Sequence, residues 1–202
     1  MSKEYSLLNI KKIISGQGTL SQLGTVAASF KAKQVILITD DFLWKSGAID
    51  KPKAILEEAG MSVAVISDIP PEPSVDQVNH ALKQAKGHAC DLIVGIGGGS
   101  AMDAAKLIAI LLTNEVSLNS VVKGESKLVN TGVPMLMVPT TAGTGSEATP
   151  NAIVLVPEEN LKVGVVDEKM VADAVILDPE MTVSLPPHIT AQTGVDALCH
   201  AM

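Results

Sequence analysis

The chain has 202 residues, enough for one large domain or one and a half ordinary ones. Apolar residues make up 47 % but aromatics only 2 %, so a sizeable core must be built from Ala, Val, Ile, Leu and Met, with no aromatic platform for single-stranded nucleic acid. The net charge of −7 and the absence of any Lys/Arg-rich block exclude nucleic acid as the expected partner, and no run approaches the ~20 apolar residues of a membrane span.

Residues 1–6 carry Lys3 and Glu4 and no apolar run of secretory-signal length, so a cytoplasmic location is expected. Residues 35–39 (VILIT) form a short apolar run, predicted as a buried strand, and 52–59 as a helix stopped by Gly60. Residues 63–66 are the next strand. Residues 75–86 are predicted as an amphipathic helix with Ser74 as N-cap and Val75, Val78, Leu82 and Ala85 as its apolar stripe. Residues 92–96 are a third strand, followed at once by Gly97, Gly98, Gly99 and Ser100; 101–112 are a helix, and 135–138 a strand ended by Pro139. Cys90 and Cys199 lie far apart without a CxxC partner and are expected as reduced thiols.

Alternation of this kind implies right-handed crossovers and a parallel sheet, buried on both faces. Ligands of such sheets bind beyond the carboxyl ends of the strands, so residues 40–41, 70–74, 97–100 and 140–147 are the informative loops. After Thr149 the rhythm changes: 152–156, 162–166 and 174–177 are short β-like runs with no helix between them. Pro186 and Pro187 then break the chain before a helix over 188–202, which puts a domain boundary near Leu185.

The glycine run follows a strand and opens a helix. Glycines permit close backbone approach, and a helix N-terminus offers unpaired N–H groups and a positive dipole end, which together suit a phosphate. The competing reading is a tight turn that binds nothing. Ser100 and Asp103 have the spacing of a capping box. The standard dinucleotide fingerprint is met only with Ser100 in the third glycine place, and the candidate ribose-binding acid is misplaced, since it does not lie ~20 residues downstream. Asp40, at the end of an earlier strand, can reach ribose hydroxyls if its strand neighbours the glycine loop, or it can simply cap a helix. Residues 139–147 (PTTAGTGSE) place hydroxyls and glycines after a buried strand, a composition suited to lining a nucleotide cleft. Asp196 and His200, at i and i+4, share one helix face and can ligate one divalent metal or form a surface ion pair.

Residues 91–106 (DLIVGIGGGSAMDAAK), 138–151 (VPTTAGTGSEATPN), 174–187 (AVILDPEMTVSLPP) and 193–201 (TGVDALCHA), in this order, resemble the iron-containing alcohol dehydrogenase family over essentially the whole chain. The resemblance implies an α/β fold, a Rossmann-like parallel sheet with flanking helices over 1–185, followed over 186–202 by the start of an all-helical metal-binding domain. It implies that Asp40 holds the adenosine ribose and that Gly97, Gly98, Gly99 and Ser100 cradle the pyrophosphate. Thr140, Thr141 and Thr144 would contact the nucleotide, and Thr149, Asn151 and Lys162 would lie on its nicotinamide side, with Lys162 also a catalytic candidate. Met181 and Thr182 belong to a segment, 181–184, that would close the cleft. Asp196 and His200 would be metal ligands and catalytic through the metal. Glu72 stands where the family often has Asn, which leaves its role open.

The implied reaction is hydride transfer between a small alcohol or aldehyde and NAD, favoured over NADP by Asp40, with Fe2+ (alternatively Zn2+) polarising the oxygen. The family takes two further histidine ligands from a C-terminal helical domain, and this chain stops at Met202 before them. A nucleotide-binding fragment without catalysis, and a lyase like the related dehydroquinate synthases, are the alternatives. Tyr5 is the only tyrosine, which argues against a Tyr/Lys proton relay. A homo-oligomer is expected, since an unpartnered helix over 188–202 would expose apolar surface.

Overall fold

The computed structural model describes residues 9–202. The readings made on residues 1–6, including Tyr5, lie outside them. Six strands form one parallel sheet: β1 (Lys12–Ser15), β2 (Gln34–Asp40), β3 (Ser62–Ile69), β4 (Leu92–Gly97), β5 (Met135–Pro139) and β8 (Ala174–Leu177), in the order β1-β8-β5-β4-β2-β3. The other two strands, β6 (Asn151–Val156) and β7 (Leu161–Val166), form a separate antiparallel hairpin. Helices α1 (Leu23–Ser29), α2 (Asp41–Lys45) and α3 (Asp50–Glu58) precede α4 (Val75–Ala85), α5 (Gly99–Leu111) and α6 (Leu118–Val122). The last helix, α7, spans Pro187–Ala201.

The central strands are uniformly apolar because both faces are covered, and side chains alternate between two cores. Val35, Leu37, Val94, Ile96, Leu136 and Val138 enter one core with residues of α1 and α3, such as Val26 and Leu56. Ile36, Ile38, Ile93, Met135 and Met137 enter the other, beneath α4 and α5. Gly95 lets α5 lie close on the sheet: a Cβ there would stand 2.6 Å from Met137 Sδ and 3.0 Å from Ala105 Cβ.

Most boundaries follow the sequence rules. Gly60 ends the helix region with φ +86. Ser74 caps α4 in a complete capping box with Gln77. The capping box expected of Ser100 and Asp103 does not form. Gly98, in extended conformation, is the N-cap of α5, which puts Ser100 inside the first turn, and Asp103 is engaged in longer-range contacts. The run 174–177 joins the main sheet between β5 and β1 rather than the hairpin. Cys90 and Cys199 are both free thiols. No helix among the described residues is long and apolar enough to cross a membrane.

The order of strands reverses between β2 and β4: from β2 the chain moves outward to β3, then returns to the other side of β2. The carboxyl ends at that switch point are Asp40 and Gly97, and a crevice there is where open parallel sheets hold ligands.

Candidate active site

Two adjoining cavities open at this switch point, of about 770 and about 210 Å³, sharing Gly99, Ser100 and Thr144 as walls. The larger is also lined by Asp40, Gly98, Thr140 and Thr141, with Phe42, Pro70, Pro71, Leu185 and Pro186 giving it apolar walls. The smaller is lined by Thr149, Asn151, Lys162, Glu72 and Asp103.

Each wall has a local cause. Gly97 closes β4 with φ +153, and a Cβ there would come within 2.7 Å of Ala101 Cβ, so only glycine allows α5 to start so close behind the strand. No side chain caps α5, so its first amides, which have no partner inside a helix, are open toward the crevice. Opposite them, Thr140 ties its amide to Gly97 O at 2.9 Å. Among the described residues Thr141 Oγ1 is buried without a hydrogen-bond partner, beside the position a Gly98 Cβ would take. A buried hydroxyl without a partner is unfavourable. A phosphate oxygen or bridging water between Thr141 and the Gly98–Gly99 backbone would relieve it.

Asp40 caps a helix and also stands beside the glycine loop. Oδ1 accepts from Leu43 N at 2.8 Å as the N-cap of α2. Oδ2 faces the glycine loop, 3.4 Å from where a Gly97 Cβ would lie. The strand that carries Asp40 does neighbour the glycine strand, Ile38 pairing with Gly95.

On the other side of the crevice Lys162 Nζ, on β7, is paired with Glu72 Oε1 at 2.6 Å, and Glu72 N donates to Ser100 Oγ at 3.0 Å. Glu72 holds a left-handed φ of +52 to do so. Both charges are more than half exposed, so the pair is worth ~0–1 kcal/mol. Met181 and Thr182 line neither cavity: Met181 packs against the core, and Thr182 Oγ1 donates to Pro179 O at 2.8 Å. Leu185 and Pro186 take the wall expected of that segment, because the 3-10 turn over Pro179–Thr182 folds it back on itself.

Asp196 and His200 lie on one face of α7, His200 Nε2 3.6 Å from Asp196 Oδ1, both open to solvent. Asp196 sits directly over the threonine-glycine loop: a Cβ on Gly143, whose φ is +89, would stand 2.5 Å from Asp196 Oδ2. Oxygen and imidazole donors suit Fe2+ or Zn2+, but a protein site for either normally has at least three ligands. Among the described residues no third His, Cys, Asp or Glu stands with this pair.

Two residues beside the crevice were not read from the sequence as part of the site. Asp103 and Lys106, one turn apart on α5, are buried, with Lys106 Nζ 3.2 Å from Asp103 Oδ1. Lys106 Nζ donates to Ser146 O at 2.7 Å and Asn151 O at 2.5 Å, with Thr149 O at 3.3 Å. Asp103 accepts from Ser146 Oγ and, at 3.0 Å, from Ile153 N. Burial holds the Lys106 ammonium below the usual lysine pKa, against the pull of Asp103. Their signal in the sequence was two charges in an otherwise apolar helix.

The sequence pattern of the iron-containing alcohol dehydrogenases matches residues 11–179. The long-chain-alcohol dehydrogenase 1 of Geobacillus thermodenitrificans is 40% identical over 93% of this chain and 47% of its own length. The sulfoacetaldehyde reductase of Bilophila wadsworthia is 38% identical over 96% of this chain and 50% of its own length. The crystal structure of sulfoacetaldehyde reductase from Bifidobacterium kashiwanohense in complex with NAD+ superposes with a TM-score of 0.91 at 29% identity, covering 99% of this chain and 53% of that one. The chain thus spans about half the length of the curated relatives it matches. Since the matched pattern runs from the edge strand β1 through every strand of the sheet to β8, the chain belongs to the iron-containing alcohol dehydrogenase family.

Proposed function

We propose that this protein is an NAD-dependent alcohol dehydrogenase that moves a hydride between a small alcohol or aldehyde and nicotinamide. The observation that carries the reading is the partnerless Thr141 hydroxyl facing an uncapped helix start at the topological switch point. That arrangement suits an anion of the size of a pyrophosphate. When bound, nicotinamide accepts or returns the hydride, and a divalent cation, Fe2+ in preference to Zn2+, acts as a Lewis acid toward the alcohol.

The chain's own residues bind and orient. The backbone of Gly97, Gly98 and Gly99, with Ser100 and Thr141, cradles the pyrophosphate. Asp40 Oδ2 accepts from ribose hydroxyls and repels a 2′-phosphate, which favours NAD over NADP. Thr140 and Thr144 shape the middle of the cleft. Thr149, Asn151 and Lys162 line the nicotinamide side, where Lys162 is the catalytic candidate. Asp196 and His200 supply two ligands of the cation, and α7 is the first helix of a further helical domain over 186–202 and beyond the sheet domain of 1–185.

Titration with NADH tests binding, and alcohol oxidation with NAD and Fe2+ or Zn2+ tests catalysis. Micromolar NADH affinity, lost in Asp40→Arg, is expected; folded protein that ignores NADH refutes the reading. Binding without metal-dependent turnover reduces the proposal to a nucleotide-binding module. Self-association is also part of the proposal, and a monodisperse monomer in light scattering refutes that part.

A further inference from the structure

We propose that Lys106 is a positioning residue: it locks residues 144–151, the nicotinamide-side loop, onto the helix that carries the phosphate cradle. This rests on the reading of the crevice as a dinucleotide site.

An ammonium has three protons to donate. In Lys106, whose side chain is 0% exposed, they are taken up by Ser146 O at 2.7 Å, Asn151 O at 2.5 Å and Asp103 Oδ1 at 3.2 Å, with Thr149 O and Oγ1 at 3.3 and 3.4 Å alongside. Three backbone carbonyls of one short segment, from the loop to the first residue of β6, therefore converge on one cation. Asp103 extends the grip by accepting from Ser146 Oγ and from Ile153 N at 3.0 Å. Contacts thus fall on residues 146, 149, 151 and 153, which fixes the path of the backbone from the loop into β6.

The placement of these contacts argues for positioning rather than bulk stability. A buried ion pair is weak evidence for stability, since a well-packed apolar pair of the same volume does as well or better. Here the pair sits between the two halves of the crevice. Gly99 and Ser100 lie at the start of the same helix, about 10 Å from Lys106 along its axis. Thr149 and Asn151, whose carbonyls Lys106 holds, line the smaller cavity. Of the other ties across that cavity, Lys162 to Glu72 is exposed and weak, and Leu155 N, donating to Pro73 O at 3.0 Å, joins β6 to residues 70–74 rather than to α5. The distance from phosphate cradle to nicotinamide-side walls is therefore set by Lys106. Misplacement by about 1 Å at such a wall is enough to cost an enzyme on the order of 100-fold.

ADP-ribose and NADH separate the two ends of the crevice, because only NADH carries nicotinamide. In the folded Lys106→Met protein, the ADP-ribose Kd should stay within about twofold of wild type while the NADH Kd rises about tenfold or more. Ser146→Ala, which removes only the hydroxyl bond to Asp103, should shift NADH affinity in the same direction by about threefold. It decides the matter if Lys106→Met fails to fold. Parallel loss of both ligands, or no change in either, overturns the positioning role. Wild-type protein that binds neither ligand overturns the dinucleotide reading itself, and the proposal with it.

Discussion

The two glycines at the turn of β4 into α5 should respond oppositely to a single methyl group. Gly97 has φ +153, and an added Cβ would meet Ala101 Cβ at 2.7 Å. Neither carbon can swing aside, since Ala101 belongs to α5. Backbone strain of ~1–3 kcal/mol and overpacking of a similar size put Gly97→Ala at ~2–6 kcal/mol of lost stability, a fall in Tm of roughly 5–25 °C for a domain of this size. Gly98 is different: φ is −78 and ψ −173, an ordinary extended conformation. Its Cβ would meet Thr141 Cγ2 at 3.4 Å, a normal van der Waals contact. Gly98→Ala should leave stability within ~1 kcal/mol, the entropy removed from the unfolded chain offsetting the poorer N-cap. The methyl would nevertheless stand in the crevice where a pyrophosphate must approach, so the NADH Kd should rise at least about tenfold, or ~1.4 kcal/mol. Thermal unfolding and NADH fluorescence titration of the two variants measure both effects. Gly98→Ala protein with wild-type Tm and unchanged NADH affinity would mean that the turn is only a turn, and the phosphate-cradle reasoning fails.

Asp40→Asn keeps the oxygen that caps α2 and removes only the charge, so stability should stay within ~0.5 kcal/mol while the preference for NADH over NADPH relaxes several-fold, read from the ratio of their Kd values. Gly143→Ala at φ +89 would drive a methyl into Asp196 and Thr193 O. Displaced α7 should then lower metal-dependent alcohol oxidation at least about tenfold, with NADH affinity kept within about threefold, which steady-state kinetics and titration together check. Buried Asp178 accepts from the amides of Gly18, Leu20 and Glu180 at 3.1, 2.9 and 3.0 Å. Burial pushes its carboxyl pKa up, and the amides of Leu20, Glu180 and Gly18 more than reverse this, leaving it below the ordinary value. The stability it adds is therefore present above pH ~3.9 and lost as pH falls through the lowered folded value. Asp178→Asn should cost ~2 kcal/mol near pH 7 and flatten the acid limb of stability in urea melts.

The strands of the switch point were legible because they are short apolar runs cut off by glycine or proline, and burial on both faces leaves no periodicity to misread. Strand β1 was not legible. Lys12–Ser15 has one apolar pair, with Ile13 half exposed, and becomes a strand only by pairing with β8, from Lys12 with Ala174 to Ser15 with Leu177. Nothing within a local window announces a partner so distant. The hairpin β6–β7 was read as two β-like runs, yet that it leaves the sheet while the next run rejoins it depends on what α5 and residues 70–74 offer it. Leu155 N bonding to Pro73 O at 3.0 Å is such a contact.

At the site, local spacing misled where tertiary demand was stronger. Ser100 and Asp103 fit a capping box by number, but α5 is apolar on every side: from Ala101 to Leu111 all its residues are buried. A helix buried all round must bury its charges as well, and a buried charge persists only if paired and fully hydrogen-bonded. Asp103 and Lys106, at i and i+3, could therefore be expected to pair with each other and to leave acceptor and donor capacity for some other irregular segment. The pair does not identify the segment. It does require one with free carbonyls and a free amide lying against α5, and a loop rich in glycine and threonine after a neighbouring strand is the kind that has them. Cap geometry and ion pairing thus divide α5 between two tasks. Its bare first turn faces the crevice, and its buried charges hold the opposite wall at a fixed distance from that turn.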